Sequence, residues 1–457
     1  MAIEQVTEAV KRWKTNNPLY RVYENYFDGR HQLKFVSPDW NNKYAQRVLT
    51  DRVLSIRENL CPAVVYGFTD PIAVDDWADN TTLDDASALG LPRLLSFVKR
   101  ECFKTGDAYV IVVETPEGPR PVFQRARNMV PHIDPANPDR LDWAARIWID
   151  PDTRLGRVNL YYPDVVERWQ TATTLPAQAS ISDVPEQANG WMPCPDTDTE
   201  PHSFGTVPVV WFKLDAIDQT SPGSSILADV IPLQDGLNTS LAHLLINQEA
   251  YSRTFWYVCN MKADTPAVNP FAQANATTPA PKPAKTMDRN RQSILAIDGA
   301  GPVGQFDPPD VTKLLAVQEA IKSKICSVVG IPPYLMQAQI GNVPSGSALR
   351  TLETRRINRI AAWQNDAQPV MRGLKQLLGI GDSPVSWTPP AQLDELEKWQ
   401  IAQAQTAMGW ALPDVLDWLQ VPDAEGIAAR AQQAALANGA RMGQAFLDGV
   451  GASSYNT

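Results

Sequence analysis

The sequence is poor in the residues that build metal centres and covalent cross-links. It has four histidines and five cysteines in 457 residues, and none of them forms a CxxC or HExxH motif. Zinc sites need clustered ligands, and disulfide frameworks need cysteines that can pair. The widely spaced, odd-numbered cysteines therefore predict buried, reduced thiols. No metal site is predicted.

Motifs for nucleotide hydrolysis and acyl transfer are missing as well. The chain contains neither a GxxxxGK[ST] P-loop nor a G-x-S-x-G elbow. A nuclease or hydrolase could use the acids Asp75, Asp76, Asp84 and Asp85, but no partner motif fixes their roles. The sequence thus predicts no catalytic residue and no cofactor, and a nuclease or hydrolase stays as the less favoured alternative.

Long apolar runs and an excess of positive charge are also absent. No run reaches the ~18 residues of a membrane span, and the first residues, MAIEQVTEAVKRW, form an acid-containing amphipathic pattern unlike a signal peptide. The formal net charge is -10, whereas proteins that wrap DNA are usually basic. We expect a soluble, intracellular protein that meets DNA loosely or on a local basic patch.

Two helices joined by a short polar loop are the most informative pattern present. Apolar residues recur at a spacing of about 3.6 over 310–329, and a Gly-Ile-Pro-Pro stretch ends that run. A polar loop follows over 330–345, and a second apolar stripe extends over 346–378, where Pro369 predicts a kink. The pattern suggests a part repeated around a ring, with the loop at its tip. An ordinary helical hairpin in a globular core is the alternative.

Basic residues concentrate in this same region. Between 310 and 378 there are nine lysines and arginines against four acids, a local excess of +5 in an acidic chain. One interpretation is a solvated helix face, or ion pairs between neighbouring subunits. The other is salt-sensitive, sequence-independent contact with DNA phosphates.

The rest of the chain predicts an α+β fold. Residues 61–68 and 71–74 are expected as short strands, 83–104 as a helix, and 108–113 as a buried strand that turns back at 115–118. More strand-like pieces follow up to residue 214, while 171–206 is expected as a surface excursion because its apolar pattern is weak.

Later segments continue this pattern. Residues 224–251 are expected as a helix, 254–258 and 293–298 as strands, and 263–285 as a mobile loop rich in proline and alanine. The acidic tail beyond 382 is expected to be helical.

Five stretches together resemble one protein family. They are YENYFDGRHQLKF (23–35), RENLCPAVVYGF (57–68), KTGDAYVIV (104–112), LADVIPLQDGLNTSLAHLL (227–245) and the VVGIPPYLM and SGSALRTLETRR pieces of 328–356. The chain resembles the portal proteins of long-tailed bacteriophages. The order of helices, small β element and polar loop is similar to the plan of that family.

The resemblance implies a division of the chain into named parts. It places an α+β wing in 1–224, stem helices in 225–252 and 310–329, and a β clip in 253–309. The remaining parts are a tunnel loop in 330–345, a long kinked wing helix in 346–381 and a helical crown in 382–457.

The resemblance also implies function, partners and location. It implies a ring, commonly of twelve subunits, at one capsid vertex, through which double-stranded DNA is packaged and ejected. The implied partners are the terminase large subunit, head-completion or adaptor proteins, and the major capsid and scaffolding proteins. The implied location is the virion, after assembly in the host cytoplasm.

Individual residues receive roles only through this resemblance. The expected channel and tunnel-loop residues are Lys322, Lys324, Gln337, Gln339 and Asn342. Lys282 and Lys285 are expected on the clip, where the motor or a connector docks. A capsid or adaptor protein without a channel stays as the first alternative.

Overall fold

The structure of the protein is a computed structural model. The chain forms two compact units. The structure describes residues 2–31, 57–79, 81–195, 199–251, 256–259, 294–297, 304–305, 311–336, 346–390, 395–419 and 426–434. The units are Met1–Thr388 and Pro389–Thr457.

The first unit combines helices with short antiparallel strands, which confirms the α+β fold class. Its described helices are α1 (Ala2–Phe27), α2 (Cys61–Thr69), α3 (Leu83–Ala88), α4 (Leu91–Thr105), α5 (Val230–Tyr251), α6 (Val311–Val329) and α7 (Gly346–Leu378). A 3-10 turn, Pro333–Leu335, follows α6. The two helices predicted around the polar loop are therefore present, and α7 continues through Pro369.

Four sheets accompany these helices in the described part of the chain. Their strands are β1 (Val74–Asp76), β2 (Asp107–Thr115), β3 (Gly118–Arg125), β4 (Met129–Asp134), β5 (Asn137–Ile149), β6 (Gly156–Tyr161), β7 (Val165–Thr171), β8 (Trp191–Pro193), β9 (Thr199–Pro201), β10 (Val209–Lys213), β11 (Trp256–Cys259), β12 (Ile294–Ile297), β13 (Gly304–Gln305) and β14 (Ser386–Trp387).

Strand pairing is mostly antiparallel. The sheets have the orders β10-β2-β3, β4-β5-β6-β7-β8 with β9 also on β7, β12-β11-β13, and β1-β14. Only β11 and β12 pair in parallel among the described strands. In β2 the side chains from Asp107 to Val112 are buried on both faces, because helices cover one face and a second core covers the other.

The largest core lies between α2, α4, the β10-β2-β3 sheet and the second half of α7. Phe68, Phe103 and Trp363 meet at its centre, with ring centroids 5.8 and 5.7 Å apart. The buried ends of α5 and α6 join the same core through Leu237 and Ile325. Consequently the beginning of α5 and the end of α6 are anchored in the same core.

Helix α1 covers two smaller cores. Val6, Val10 and Trp13 pack on the sheet that contains β5 and β6, while Tyr20 packs against β2. The Tyr20 hydroxyl donates to the buried carboxylate of Asp107 at 2.7 Å, and the Trp211 indole donates to the same carboxylate at 2.9 Å. Burial raises the pKa of Asp107, against the opposing effect of these donors. This buried junction fixes α1 to the first sheet.

The prediction of a strand at 61–68 is wrong. The segment is helix α2, with Pro62 in its first turn, a position that suits proline. Cys61, Val64, Val65 and Phe68 are fully buried. Their spacing of three and four residues indicates a helix, but the continuous apolar run hid this period. The predicted strand at 71–74 is also wrong, since β1 begins only at Val74.

The prediction of a surface excursion at 171–206 is right for most of its described side chains, which are exposed, but the segment is anchored to the sheet. Trp191 and Cys194 are buried, and β8 and β9 both pair with β7. Leu175 and Val184 complete the same core. A few well-placed apolar side chains anchor this segment although its average composition is polar.

The second unit is small and helical where it is described. It contains α8 (Glu395–Ala407) and α9 (Leu412–Trp418), and 426–434 is also helical. Across the described ranges, no helix combines the length and the apolar character that crossing a membrane requires.

Candidate functional site

The first half of α5 is hydrogen-bonded to the segment that precedes α2. The backbone N–H of Leu60 donates to Gln234 at 2.9 Å, and the N–H of Glu58 donates to Asn238 at 3.1 Å. Gln234 and Asn238 lie one turn apart on α5 and are both buried. Their amides replace the hydrogen bonds that this irregular backbone would otherwise make with water.

Lys322 of α6 is held by this same segment. Its ammonium lies 2.9 Å from Oε1 of Glu58 and 3.3 Å from Oε1 of Glu319. Partial burial lowers the pKa of Lys322, but the two carboxylates outweigh this effect and the pKa is raised. The charge of Lys322 is therefore used to join α6 to the segment before α2.

Lys324 has a different environment. Its side chain is exposed. Two residues along a helix rotate a side chain by about 200°, so Lys322 and Lys324 point to different sides of α6. Lys324 is the better placed of the two to meet a ligand outside the subunit.

The turn after α6 depends on one glycine and two arginines. Gly330 has φ +83°, and a Cβ there would lie 2.7 Å from Cδ of Arg355. Arg355 donates to the carbonyl of Ser327 at 3.0 Å, and Arg356 donates to the carbonyl of Gly67 at 2.9 Å. The Tyr334 hydroxyl also bonds Glu353. The turn is therefore fixed tightly between α2, α6 and α7.

The basic cluster predicted over 310–378 is largely engaged within the chain. Arg359 pairs with Asp215, and Arg356 lies 3.3 Å from Glu353. Lys375 is only 1% exposed, and it contacts Asp79 at 2.7 Å. Most of the local excess of positive charge thus stabilises the fold, a use that the composition of the segment could not distinguish from DNA contact.

Three of the four aspartates that suggested a nuclease have structural contacts. Asp85 forms a capping box with Thr82 at the start of α3. Asp76 accepts from the N–H of Ala78 at 3.0 Å, and Asp75 accepts from Thr388 at 2.5 Å. Among the described side chains no group of three histidines, cysteines, aspartates or glutamates could hold a metal ion.

Several expected site residues fall outside the described ranges. These are the tunnel-loop residues Gln337, Gln339 and Asn342 and the clip residues Lys282 and Lys285. The structure therefore brings Lys322 and Lys324 onto one helix and leaves the other expected residues as predictions. Sequence patterning missed Glu58 and Asp79, the acidic partners of Lys322 and Lys375, since each lies far from its partner in the chain.

A comparison with protein families covers about three quarters of the chain. The family described as phage portal protein, SPP1 Gp6-like, matches residues 64–411. The chain belongs to this family of portal proteins. The match begins within α2, continues through α7 and so includes both proposed stem helices. Portal proteins of this family are structural rather than enzymatic, and a portal or connector role follows for the chain.

Solved structures and curated proteins add less to this assignment. A chain from the neck of a native gene transfer agent particle, computed with C12 symmetry, has a TM-score of 0.42 and 14% identity; the match covers 79% of this portal protein and 89% of that chain. A chain from the virion of a native gene transfer agent particle has a TM-score of 0.42 and 12% identity, with coverages of 84% and 95%. No curated protein matches the chain.

Proposed function

We propose that copies of this protein close into a ring that forms the channel for double-stranded DNA at one vertex of a capsid. The main support is α6, whose apolar residues are covered at one end of the helix and exposed at the other. Near its end Ile325 and Val329 are buried within the subunit, whereas near its start Leu315 and Val317 are 45% and 49% exposed. A helix needs packing for its apolar residues along its whole length, and a neighbouring copy in a ring supplies it.

The ring geometry follows from the type of contact. The interface joins two different surfaces of the same chain, so each copy binds one neighbour with each surface and closure prevents a filament. Twelve copies are common in this family. Interfaces that hold permanent assemblies together usually bury more than about 2,000 Å², an area that a subunit with several projecting parts can provide.

DNA contact in the channel is proposed to be weak and independent of sequence. The residues proposed to contact the DNA are Lys324 on α6 and Gln337, Gln339 and Asn342 of the tunnel loop. Lys322 is proposed to contribute less, because Glu58 and Glu319 bind its ammonium. A few cations in a chain of net charge -10 suit a duplex that must slide, since strong binding would stop it.

Docking is proposed to occur at the clip, residues 253–309, through Lys282 and Lys285. The terminase large subunit would bind there during packaging, and head-completion or adaptor proteins would replace it afterwards. The wing (1–224) and crown (382–457) would meet the major capsid and scaffolding proteins. The proposed location is accordingly the virion, after assembly in the host cytoplasm.

Imaging of the purified protein tests the proposal directly. Negative-stain averages viewed down the axis and native mass spectrometry should give a closed ring with a central hole. A discrete complex without a hole would favour an adaptor protein that has no channel. A stable monomer at micromolar concentration that cuts nucleic acid would instead favour the nuclease alternative.

A further inference from the structure

The sheet that contains β5, β6, β7 and β8 has a second face, opposite the one that α1 covers. Ile147 and Val158 face the core beneath α1. Side chains alternate along a strand, so the neighbouring Arg146 and Arg157 lie on the second face. Tyr161 of this face packs against the first sheet. Beyond Tyr161, polar, basic and aromatic side chains replace the apolar ones.

Two cross-strand rows form this part of the second face, which we call the arginine face. The register of the strands gives the rows as Arg146, Asn159 and Arg168, and as Trp148, Arg157, Gln170 and Met192. The rows contain arginine, tryptophan and methionine but no lysine, aspartate or glutamate. Surfaces through which proteins bind each other are enriched and depleted in the same residue types. The composition therefore favours a protein-binding surface.

Two of the arginines are already paired with carboxylates of the same chain. Arg157 lies 3.7 Å from Oδ2 of Asp150, and it donates to Gln170 at 3.1 Å. Arg168 pairs with Glu200 of β9. Because these carboxylates balance both charges, neither cation needs a ligand from outside the subunit.

Arg146 differs from both of them, since it forms no ion pair with a described carboxylate. Its Nε is buried and has no hydrogen-bond partner in the described part of the chain. Its Cζ lies 4.5 Å from the centroid of the Trp148 ring, and such stacking orients a guanidinium. Burial raises the pKa of Tyr161, and the nearby charge of Arg146 opposes this rise. The guanidinium is thus held in place without a counter-charge.

We propose that the arginine face binds an acidic segment of another capsid protein, with one carboxylate of that segment paired with Arg146. The guanidinium fork matches a carboxylate bidentately. Trp148 and the 39% exposed Met192 offer apolar contact beside it. The inference rests on the proposed function, in which the wing meets other capsid proteins, and it names the surface and the chemistry of the partner.

A nucleic-acid backbone fits this surface less well. Asp150 and Glu200 lie among the arginines, and they would repel phosphates whose charges follow each other about every 1.7 Å along a duplex. A protein segment can place one carboxylate at Arg146 and uncharged side chains opposite the existing pairs. The charges of the arginine face therefore favour a protein over a nucleic acid.

Fluorescence anisotropy on the full-length protein tests the site with two fluorescein-labelled peptides. One peptide alternates glutamate and leucine, and the other has glutamine in place of each glutamate. Arg146→Met removes the cation, whereas Arg146→Lys keeps the charge and loses the fork. Arg93→Met on α4 is the matched control, since Cζ of Arg93 also lies over a ring, 5.5 Å from the Phe97 centroid, but its side chain is exposed. Circular dichroism melting checks that each variant is folded.

The glutamate peptide should bind the wild type, and the glutamine peptide should bind at least tenfold more weakly. R146M should weaken binding of the glutamate peptide about tenfold or more, since loss of one partner of a charge pair is costly. R146K should weaken it less, and R93M should not change it. Equal binding to the wild type and R146M, or no binding to the wild type, would contradict the site.

Two further measurements separate this site from its alternatives. Labelled duplex DNA is titrated in parallel, and binding of DNA instead of the peptide, lost in R146M, would identify a nucleic acid as the occupant and overturn the proposal. Negative-stain imaging of the same samples reports on the ring. Rings without peptide binding would contradict this site alone, whereas peptide binding without rings would contradict the proposed function and not the site.

Discussion

The ammonium of Lys375 lies 2.7 Å from Oδ2 of Asp79, although 296 positions separate the two residues in the chain. The same ammonium donates to the carbonyls of Trp77 and Ser383 at 2.5 and 3.0 Å. It therefore joins the end of α7 to the loop before α3 and to the segment that leads to β14. Its three acceptors match the three donors of an ammonium group.

Replacing Lys375 by methionine should destabilise the subunit by about 1–3 kcal/mol. Methionine fills the space but leaves the carbonyls of Trp77 and Ser383 without their donor, and unsatisfied buried acceptors cost free energy. Urea unfolding of the unassembled subunit measures the change. Gln376→Met, at the exposed neighbouring position, is the control and should have little effect. Equal stability of the two variants would contradict the role of Lys375.

The stability of the subunit should depend on Asp79 at low pH. Hydrogen bonds from Lys375 and Ser383 lower the pKa of Asp79 from 3.8 to about 2. Because the folded pKa is lower, the stabilisation is present above pH 4 and is lost as the pH falls towards 2. Asp79→Asn should therefore be less stable than the wild type above pH 4, with a difference that shrinks at lower pH.

Asparagine suits this experiment because Asp79 has φ +56°, a conformation that asparagine tolerates better than most residues. Thermal melting of both proteins from pH 2.5 to 6 provides the measurement. A difference in melting temperature that stays constant over this range would contradict the assignment.

Replacing Gly330 by alanine should distort the turn after α6 and cost about 1–3 kcal/mol. The positive φ disfavours alanine, and the new Cβ would lie 2.7 Å from Cδ of Arg355. Gly373→Ala is the control, since its Cβ would approach only Cγ1 of Val210, at 4.0 Å, and alanine favours a helix interior. Thermal melting should show a loss for G330A and a neutral or stabilising effect for G373A.

Charge reversal should separate the roles of Lys322 and Lys324. Lys322→Glu places a third carboxylate beside Glu58 and Glu319 and should destabilise the subunit by about 1 kcal/mol or more. Lys324→Glu should leave unfolding and ring assembly unchanged and should reduce the amount of DNA packaged per particle. Packaging assays on K324E and urea unfolding of both variants provide the measurements. Normal DNA packaging in K324E would contradict the proposed contact between Lys324 and DNA in the channel.

Reversal of the clip lysines should affect docking alone. Lys282→Glu combined with Lys285→Glu, or deletion of 265–284, should leave ring formation intact and weaken binding of the terminase large subunit. Negative-stain imaging and a binding titration with purified terminase distinguish the two effects. Failure of the deletion variant to fold would show that the segment is structural and would contradict the clip assignment.

The sequence alone predicted the elements with strong periodicity. The apolar repeat over 310–329 and the stripe over 346–378 correspond to α6 and α7, and the apolar run at 108–113 lies within β2, where it is buried as far as Val112. These patterns succeed because a helix or strand places its apolar residues at a fixed local period. The resemblance to portal proteins could also be recognised from the sequence, because it rests on short stretches of residues.

Only the tertiary structure decided how the charges are used. Lys322 with Glu58, Arg359 with Asp215 and Lys375 with Asp79 are pairs whose members lie far apart in sequence, so no local pattern links them. The same applies to α2, whose continuous apolar run is compatible with either a strand or a helix until its neighbours are known. Strong local periodicity predicts the helices α6 and α7, but the fold determines which cations are already bound and which, like Lys324, remain exposed.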